Sequence, residues 1–418
     1  MKRLLVLLMS FYPFLALAQT GESQLMANRV KQVQRYLQQE NLSGWLLYDF
    51  HGSNPIAREF VNPAGMVTRR WFYFIPQSGR PIALVHQIEK GNFPDMVGYV
   101  ETYAGREELV HKLEEILAGH KNILMEYSPK GNNPYVSLVD AGTFELLKSL
   151  GAKIQSSEDL VQYLLARWSQ ESYRLHKETA QLLLKIKDKA FQEVAGQVKK
   201  NALITEYDLQ QFILKEFQKA GLVTDSGPIC AVNQNSSNPH YSPTKEKSLP
   251  IRKGDLLLLD MWAKQNKPEA VYADITWMAY LGEKVPEKFA MIFEIVAKAR
   301  DAGVEYLRKY RPQKKVAGWQ VDDVVRDVIR EAGYADFFPH RTGHSLGKSV
   351  HSIGVNLDNF ETKDERSIIP GVGFTIEPGI YLKDFGVRSE INLYAGEKGI
   401  EVTTLPLQQQ IIPLLKPK

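Results

Sequence analysis

The chain has 418 residues, 44% of them hydrophobic and 24% charged, with a formal net charge of +4. That is enough material for two domains with buried cores, so no disulfide staple is required. The near balance of 52 basic and 48 acidic residues, without a Lys/Arg stripe interleaved with aromatics, argues against nucleic-acid binding.

At the amino terminus Lys2 and Arg3 form a positive n-region, Leu4 to Leu17 an apolar stretch, and Ala16-Leu17-Ala18 a small-x-small cleavage site. The apolar run is short for a membrane span and contains Pro13. Residues 1–18 therefore read as a signal peptide, which would leave a secreted or periplasmic chain with no stable membrane span. Losing Lys2 and Arg3 would lower the formal charge from +4 to +2.

From Ser23 to Glu40 the pattern is helical, with Leu25, Val30, Val33 and Leu37 as its apolar stripe. Strand-like runs follow at 44–48, 71–75 and 82–88, with the turn-rich segment Phe50 to Pro55 after the first. A helical pattern at 107–117, a strand at 123–127 and a helix at 141–150 complete the alternation. This predicts an α/β amino-terminal domain over residues 23–165.

The character changes near Ser169, and residues 166–415 read as a second domain. One helix runs to about Lys200; another starts at Thr205, with Asp208 as its capping-box partner, and ends at Gly221. Strands are expected at 255–263 and 272–280, and a helix over 286–310. Val321, Val324, Val325, Val328, Ile329 and Ala332 form a further helical stripe closed by Gly333. Strands at 373–382 and 386–394 finish the pattern. Two helices and a strand pair, twice over, suggest an internal duplication. The single cysteine, Cys230, sits in Pro228-Ile229-Cys230-Ala231-Val232 and reads as a small buried hydrophobe.

Five residues of the second domain carry candidate chemistry: Asp260, Asp274, His344, Glu377 and Glu390. Each carboxylate lies in or beside an apolar strand-like run, where an unpaired charge is costly. Strand alternation puts Asp274 with Thr276 on one face, and Arg388, Glu390 and Asn392 together on one face. Four converging carboxylates would repel; two divalent cations would cancel their charge. Carboxylates with one imidazole suit manganese and also accommodate zinc or cobalt. Each residue alone has an ordinary explanation: a strand end for Asp260, a loop or cap for His344, a turn entry for Glu377, an ion pair with Glu390 for Arg388. Only the joint pattern is specific.

That ordered set resembles the M24 (pita-bread) metallopeptidase family, which includes Xaa-Pro aminopeptidase, prolidase and methionine aminopeptidase. The matching segments are Leu259-Asp260, Ala273-Asp274-Ile275-Thr276, Thr342 to Gly347 around His344, Thr375 to Gly379 around Glu377, and Val387-Arg388-Ser389-Glu390. The resemblance covers roughly residues 165 to 412. It implies an α+β pita-bread catalytic domain behind an α/β, creatinase-like amino-terminal domain.

Carried over, it implies that Asp260 binds one metal alone, Asp274 and Glu390 bridge two, and His344 and Glu377 complete the second. Glu377 becomes the proton shuttle, His240 and His351 the groups that contact the substrate carbonyl and oxyanion, and His340 and Arg388 the substrate-facing pair. The implied activity is hydrolysis of the amino-terminal Xaa-Pro bond of peptides with proline in second position, with two divalent ions, manganese first. The alternatives are an Xaa-Pro dipeptidase; a metal-free, creatinase-like member, against which the intact ligand set argues; or a non-catalytic member acting as a binding protein, which metal analysis with a peptide assay would separate. Family analogy suggests a homodimer or larger assembly. Three departures bear on specificity: Met261-Trp262 after the first Asp, about three extra residues within Lys264 to Glu269, and Trp277 after Asp-Ile-Thr. Trp262 and Trp277 read as packing residues. His51, His86, His111, His120 and His176 lie outside the motif set and read as structural.

Overall fold

The computed structural model describes residues 12–416, and side chains from Gln24 onward. Most of the expected signal peptide thus lies outside the described residues. Among the described residues no helix is long and apolar enough to cross a membrane. The chain divides into two compact units, Met1–Leu164 and Leu165–Lys418.

The first unit is built from α1 (Tyr12–Gln39), β1 (Gly44–Asp49), α2 (Pro55–Val61), β2 (Trp71–Pro76), β3 (Ile82–His86), β4 (Tyr99–Tyr103), α3 (Arg106–Leu117), β5 (Asn122–Met125), α4 (Ala141–Ser149), β6 (Lys153–Ser156) and α5 (Glu158–Val161). Its six-stranded mixed sheet has the order β4-β3-β2-β1-β5-β6. The buried stripe of α1 is Met26, Val30, Val33 and Leu37, whereas Leu25 is exposed. The 4-3-4 spacing of the first set holds one helical face, and Leu25 falls beside it. Two edge strands, β4 and β6, escape the sequence reading because they are short and half-exposed, with little apolar alternation. The third expected strand stops at His86, whose side chain accepts from Ile88 N and caps a short 3-10 turn.

The second unit opens with α6 (Gln170–Lys199) and α7 (Glu206–Lys219). There follow β7 (Leu222–Val223), β8 (Ile229–Val232), β9 (Leu256–Gln265), β10 (Ala273–Tyr280), α8 (Glu287–Tyr310), α9 (Gly318–Glu331), β11 (Ser345–Leu346), β12 (Gly373–Ile376), β13 (Gly379–Tyr381), β14 (Gly386–Arg388), β15 (Ile391–Gly396), β16 (Gly399–Val402) and β17 (Ile412–Pro413). The capping box at Thr205 and Asp208 forms as expected.

Strand alternation explains how carboxylates enter an apolar hairpin. β9 and β10 pair antiparallel, with Asp260 opposite Thr276 and Trp262 opposite Asp274. On one face Leu257, Leu259, Met261, Ala263, Ala273, Ile275, Trp277 and Ala279 pack into a core with Leu183, Leu209, Ile213 and Phe217 of α6 and α7. Burying each such large side chain contributes about 1.5–3 kcal/mol, which anchors the hairpin register. The opposite face begins with Leu256, Leu258 and Met278, packed with Phe293, Val325 and Ile329 of α8 and α9. Asp260, Trp262, Asp274 and Thr276 follow on that same face. The extra residues at Lys264 to Glu269 lengthen β9, whose end pairs with β7 through Leu222↔Gln265 and Val223↔Lys264.

The two strands expected at 373–382 and 386–394 are each divided. The first breaks after Ile376 at Glu377-Pro378, where proline cannot donate a ladder hydrogen bond. The second breaks at Ser389-Glu390. The inner halves pair as β13 and β14; the outer halves join the sheet β11-β12-β15-β16. Both breaks therefore carry a candidate ligand.

Candidate metal centre

Asp260 and Asp274 project from the polar end of the β9–β10 face, and Glu390 meets them from the break between β14 and β15. Thr276 Oγ1 donates to Glu390 Oε2 at 2.8 Å, and Arg388 Nε donates to Thr276 Oγ1 at 3.0 Å. Asn392 clamps the backbone behind Asp274: its Oδ1 accepts from Asp274 N at 2.9 Å and its Nδ2 donates to Asp274 O at 2.6 Å.

His344 enters from the other sheet. Thr375 Oγ1 accepts from His344 N at 2.9 Å and lies 3.1 Å from Glu377 Oε1, to which it donates. His344 Nε2 stands 3.3 Å from Glu377 Oε1 and 3.6 Å from Asp274 Oδ2. Asp274, His344 and Glu390 each offer one ligand atom within 4.8 Å of the others. All five expected ligands line one cleft of about 840 Å³, together with His240, His351, His340 and Arg388.

The electrostatics of this group call for positive charge. Burial pushes Asp260 up to about 7 against the pull of Arg388; burial, reinforced by Glu377, pushes Asp274 up to about 8. Glu390 is raised well above the carboxylate range by burial and then by Asp274. For Glu377 burial acts upward, but His344, Arg388, His340 and His351 together hold it below its ordinary value. Burial keeps His344 neutral-leaning, as a ligand imidazole must be.

The donor set fits divalent cations on a direct structural test. Asp260 Oδ1, Asp274 Oδ1 and Glu390 Oε1 are all buried without a hydrogen-bond partner among the described residues. Such oxygens are costly to leave unpaired, and cations would satisfy all three.

His340 and Arg388 line the cleft, where each is held by partners of its own. His340 Nε2 is 2.8 Å from Tyr381 Oη and its Nδ1 is 2.7 Å from Arg341 O, so both ring nitrogens are engaged. Arg388 donates to Tyr381 Oη at 3.1 Å and is ion-paired with Asp260, rather than with Glu390. The chain Asp260–Arg388–Tyr381–His340 thus braces the Asp260 side of the centre. Trp262, read as packing, does pack against the edges of two core clusters and also lines the cleft; its Nε1 donates to Asp225 Oδ1 at 2.8 Å. Trp277 does pack in the core, with Lys187 Nζ 3.9 Å from its ring centroid.

His240 is exposed at the cleft rim. Its loop is organised by Glu206, whose carboxylate accepts from Val232 N, Leu249 N, Tyr241 Oη and the Asn235 amide. His351 sets its ring edge-on to His344, with centroids 4.3 Å apart. Tyr381 and Asp225 were not singled out in the sequence, and Thr375 only as part of the segment around Glu377. Thr375 alone carried a signal, since alternation puts it on the face of Glu377 two residues on.

The model of metallopeptidase family M24 matches residues 180–397, just over half of the chain. A provisionally named Xaa-Pro aminopeptidase of Mycoplasma genitalium is 31% identical over 185 residues, 44% of this chain and 48% of that relative. The chain thus spans about half the length of this curated relative and of its Mycoplasma pneumoniae counterpart. Dipeptidase PepE of Mycobacterium ulcerans superposes with a TM-score of 0.68 at 20% identity, over 94% of this chain and 99% of its own. The X-prolyl aminopeptidase of Caenorhabditis elegans, described as a cytosolic enzyme with a di-nuclear active site, gives 0.63 at 16% identity, over 93% and 63%. These structural likenesses show a shared fold, the pita-bread architecture with an amino-terminal domain.

Proposed function

Because the chain belongs to metallopeptidase family M24, we propose that it is a two-metal hydrolase releasing the first residue of peptides with proline in second position. The observation that carries this reading is one cleft that holds three unpartnered buried carboxylate oxygens, of Asp260, Asp274 and Glu390, with ligand atoms of Asp274, Glu390 and His344 within 4.8 Å of one another. Asp260, Asp274, His344, Glu377 and Glu390 would hold the ions. When bound, the ions supply Lewis-acid activation of water and of the scissile carbonyl.

The chain's own groups do the rest. Glu377, whose carboxyl lies below its ordinary value beside Arg388 and the histidines around it, accepts the proton of the attacking water and returns it to the leaving proline nitrogen. His240 and His351 donate hydrogen bonds to the substrate carbonyl and to the negative charge that develops on it. Asn392 and Thr375 are positioning residues: one fixes the Asp274 backbone, the other ties His344 to Glu377. The Arg388–Tyr381–His340 chain holds Asp260 in place.

The likeness to a dipeptidase keeps Xaa-Pro dipeptidase activity as the second reading. The test is a panel of Xaa-Pro dipeptides, longer Xaa-Pro peptides and Xaa-Ala controls, with manganese, zinc or cobalt. Cleavage of longer Xaa-Pro peptides selects the aminopeptidase; cleavage of dipeptides alone selects the dipeptidase. No hydrolysis of any Xaa-Pro peptide in any of the three metals overturns both.

A further inference from the structure

The cleft has two unlike walls beside the ligand group. On the Asp260 side stand Arg388, Tyr381 and His340, linked to one another. On the Asp274 side stands Trp262, the direct cross-strand partner of Asp274, and beyond its indole lies Asp225.

Asp225 is exposed within the cleft and only partly committed. Its Oδ1 accepts from Trp262 Nε1 at 2.8 Å and from Ser226 Oγ at 3.2 Å. Its Oδ2 accepts no hydrogen bond among the described residues. Two nearby lysines are engaged elsewhere: Lys264 donates to Lys348 O and lies 5.1 Å over the Tyr272 ring, while Lys348 pairs with Glu269 at 3.6 Å. The result is a carboxylate held against an indole edge, facing the cleft. An aromatic face beside a carboxylate is a suitable cradle for an organic cation.

We propose that Trp262 and Asp225 form a subsite for a basic side chain, lysine or arginine, on the residue amino-terminal to the scissile bond. This rests on the Xaa-Pro reading of the cleft. Placement favours the side chain over the substrate's α-ammonium group. The α-nitrogen is two bonds from the scissile carbonyl carbon and must stay among the ligand carboxylates. Asp225 is bonded to the Nε1 end of the indole whose strand position faces Asp274, where a long side chain can meet it. Trp262 is one of the departures from the family pattern, so the preference would belong to this chain's own residues.

The test measures binding and turnover separately on the full-length protein. Binding uses reduced-amide analogues of Arg-Pro, Lys-Pro, Leu-Pro and Glu-Pro, in which a methylene replaces the scissile carbonyl, by titration calorimetry. The expected result is Arg and Lys analogues at least tenfold tighter than Leu, with Glu weakest. Asp225→Asn keeps an acceptor for Trp262 Nε1 but removes the charge, and should bring the Arg/Leu ratio near one. Asp225→Lys should reverse the order in favour of Glu. Equal Arg/Leu ratios in the unsubstituted protein and in Asp225→Asn would overturn the subsite. Charge-dependent binding without hydrolysis of any Xaa-Pro peptide would support the subsite and sink the peptidase reading. Hydrolysis with no dependence on Asp225 would do the reverse.

Discussion

Arg388 and Asp260, 128 residues apart in sequence, form a buried ion pair at the edge of the candidate metal centre. The guanidinium occupies one oxygen of Asp260 and leaves Oδ1 for a cation. It also adds positive charge close to where cations would sit. Arg388→Met should therefore tighten manganese binding about tenfold, or about 1.4 kcal/mol, while kcat/KM falls because Asp260 and Tyr381 lose their brace. Titration calorimetry with manganese reads the first effect; weaker binding would mean that Arg388 orients Asp260 more than it competes with the ion.

Asp274→Ala removes a carboxylate from the tight trio with His344 and Glu390. Metal content should fall and peptidase activity should disappear, while the fold survives because the apolar face of the hairpin is untouched. Metal analysis and circular dichroism check both halves. Unchanged peptidase activity would end the assignment of this cleft as the catalytic centre.

Asn392→Ala leaves Asp274 N and Asp274 O without their side-chain partner. Each orphaned buried group costs about 1–3 kcal/mol, so the denaturation midpoint should drop. Metal affinity should drop with it, because the strand carrying Asp274 is no longer clamped. A variant that loses stability yet keeps full metal affinity would limit Asn392 to a structural role.

Gly343 lies where the chain leading to His344 passes close to β12. A Cβ at this position would sit 2.1 Å from Thr375 O and 3.0 Å from Thr375 Oγ1. Gly343→Ala should cost about 1–3 kcal/mol through overpacking and shift Thr375, which contacts both His344 and Glu377. Activity should fall more than stability, as measured by kcat beside a urea midpoint.

His176 is a buried histidine away from the centre, with Nδ1 2.8 Å from Tyr272 O and Nε2 2.7 Å from Thr403 Oγ1. Burial lowers its pKa from 6.5 to about 4. The unfolded chain therefore binds more protons between those values. The stability from this group is present above pH 6.5 and is lost as pH falls toward 4, by up to about 1.4 kcal/mol per pH unit. His176→Gln should flatten that part of the profile, read from urea midpoints between pH 4.5 and 7.

The candidate ligand positions were legible because the four carboxylates each sit in or beside an apolar run, and those four with His344 in one order are hard to produce by chance. The helices from Gln170 onward were legible for a similar reason: long stripes and strong caps. Less was visible where a side chain has only tertiary partners. Tyr381 and Asp225 stand in no motif, and their partners His340, Arg388 and Trp262 lie 7 to 41 residues away along the chain. The breaks at Glu377 and Glu390 were hidden because each half-strand keeps a strand-like pattern while joining a different partner.

By itself the amino-acid order determined which residues could serve as ligands and which faces of the β9–β10 hairpin are apolar, since both follow from side-chain chemistry and a period of two. Only the tertiary structure decided the partners: that Arg388 pairs with Asp260, that His340 is already engaged, and that Trp262 lies open to the cleft beside Asp225. Pairing across 128 residues depends on how separate sheets are brought together, and strand periodicity says which way a side chain points without saying what it will meet.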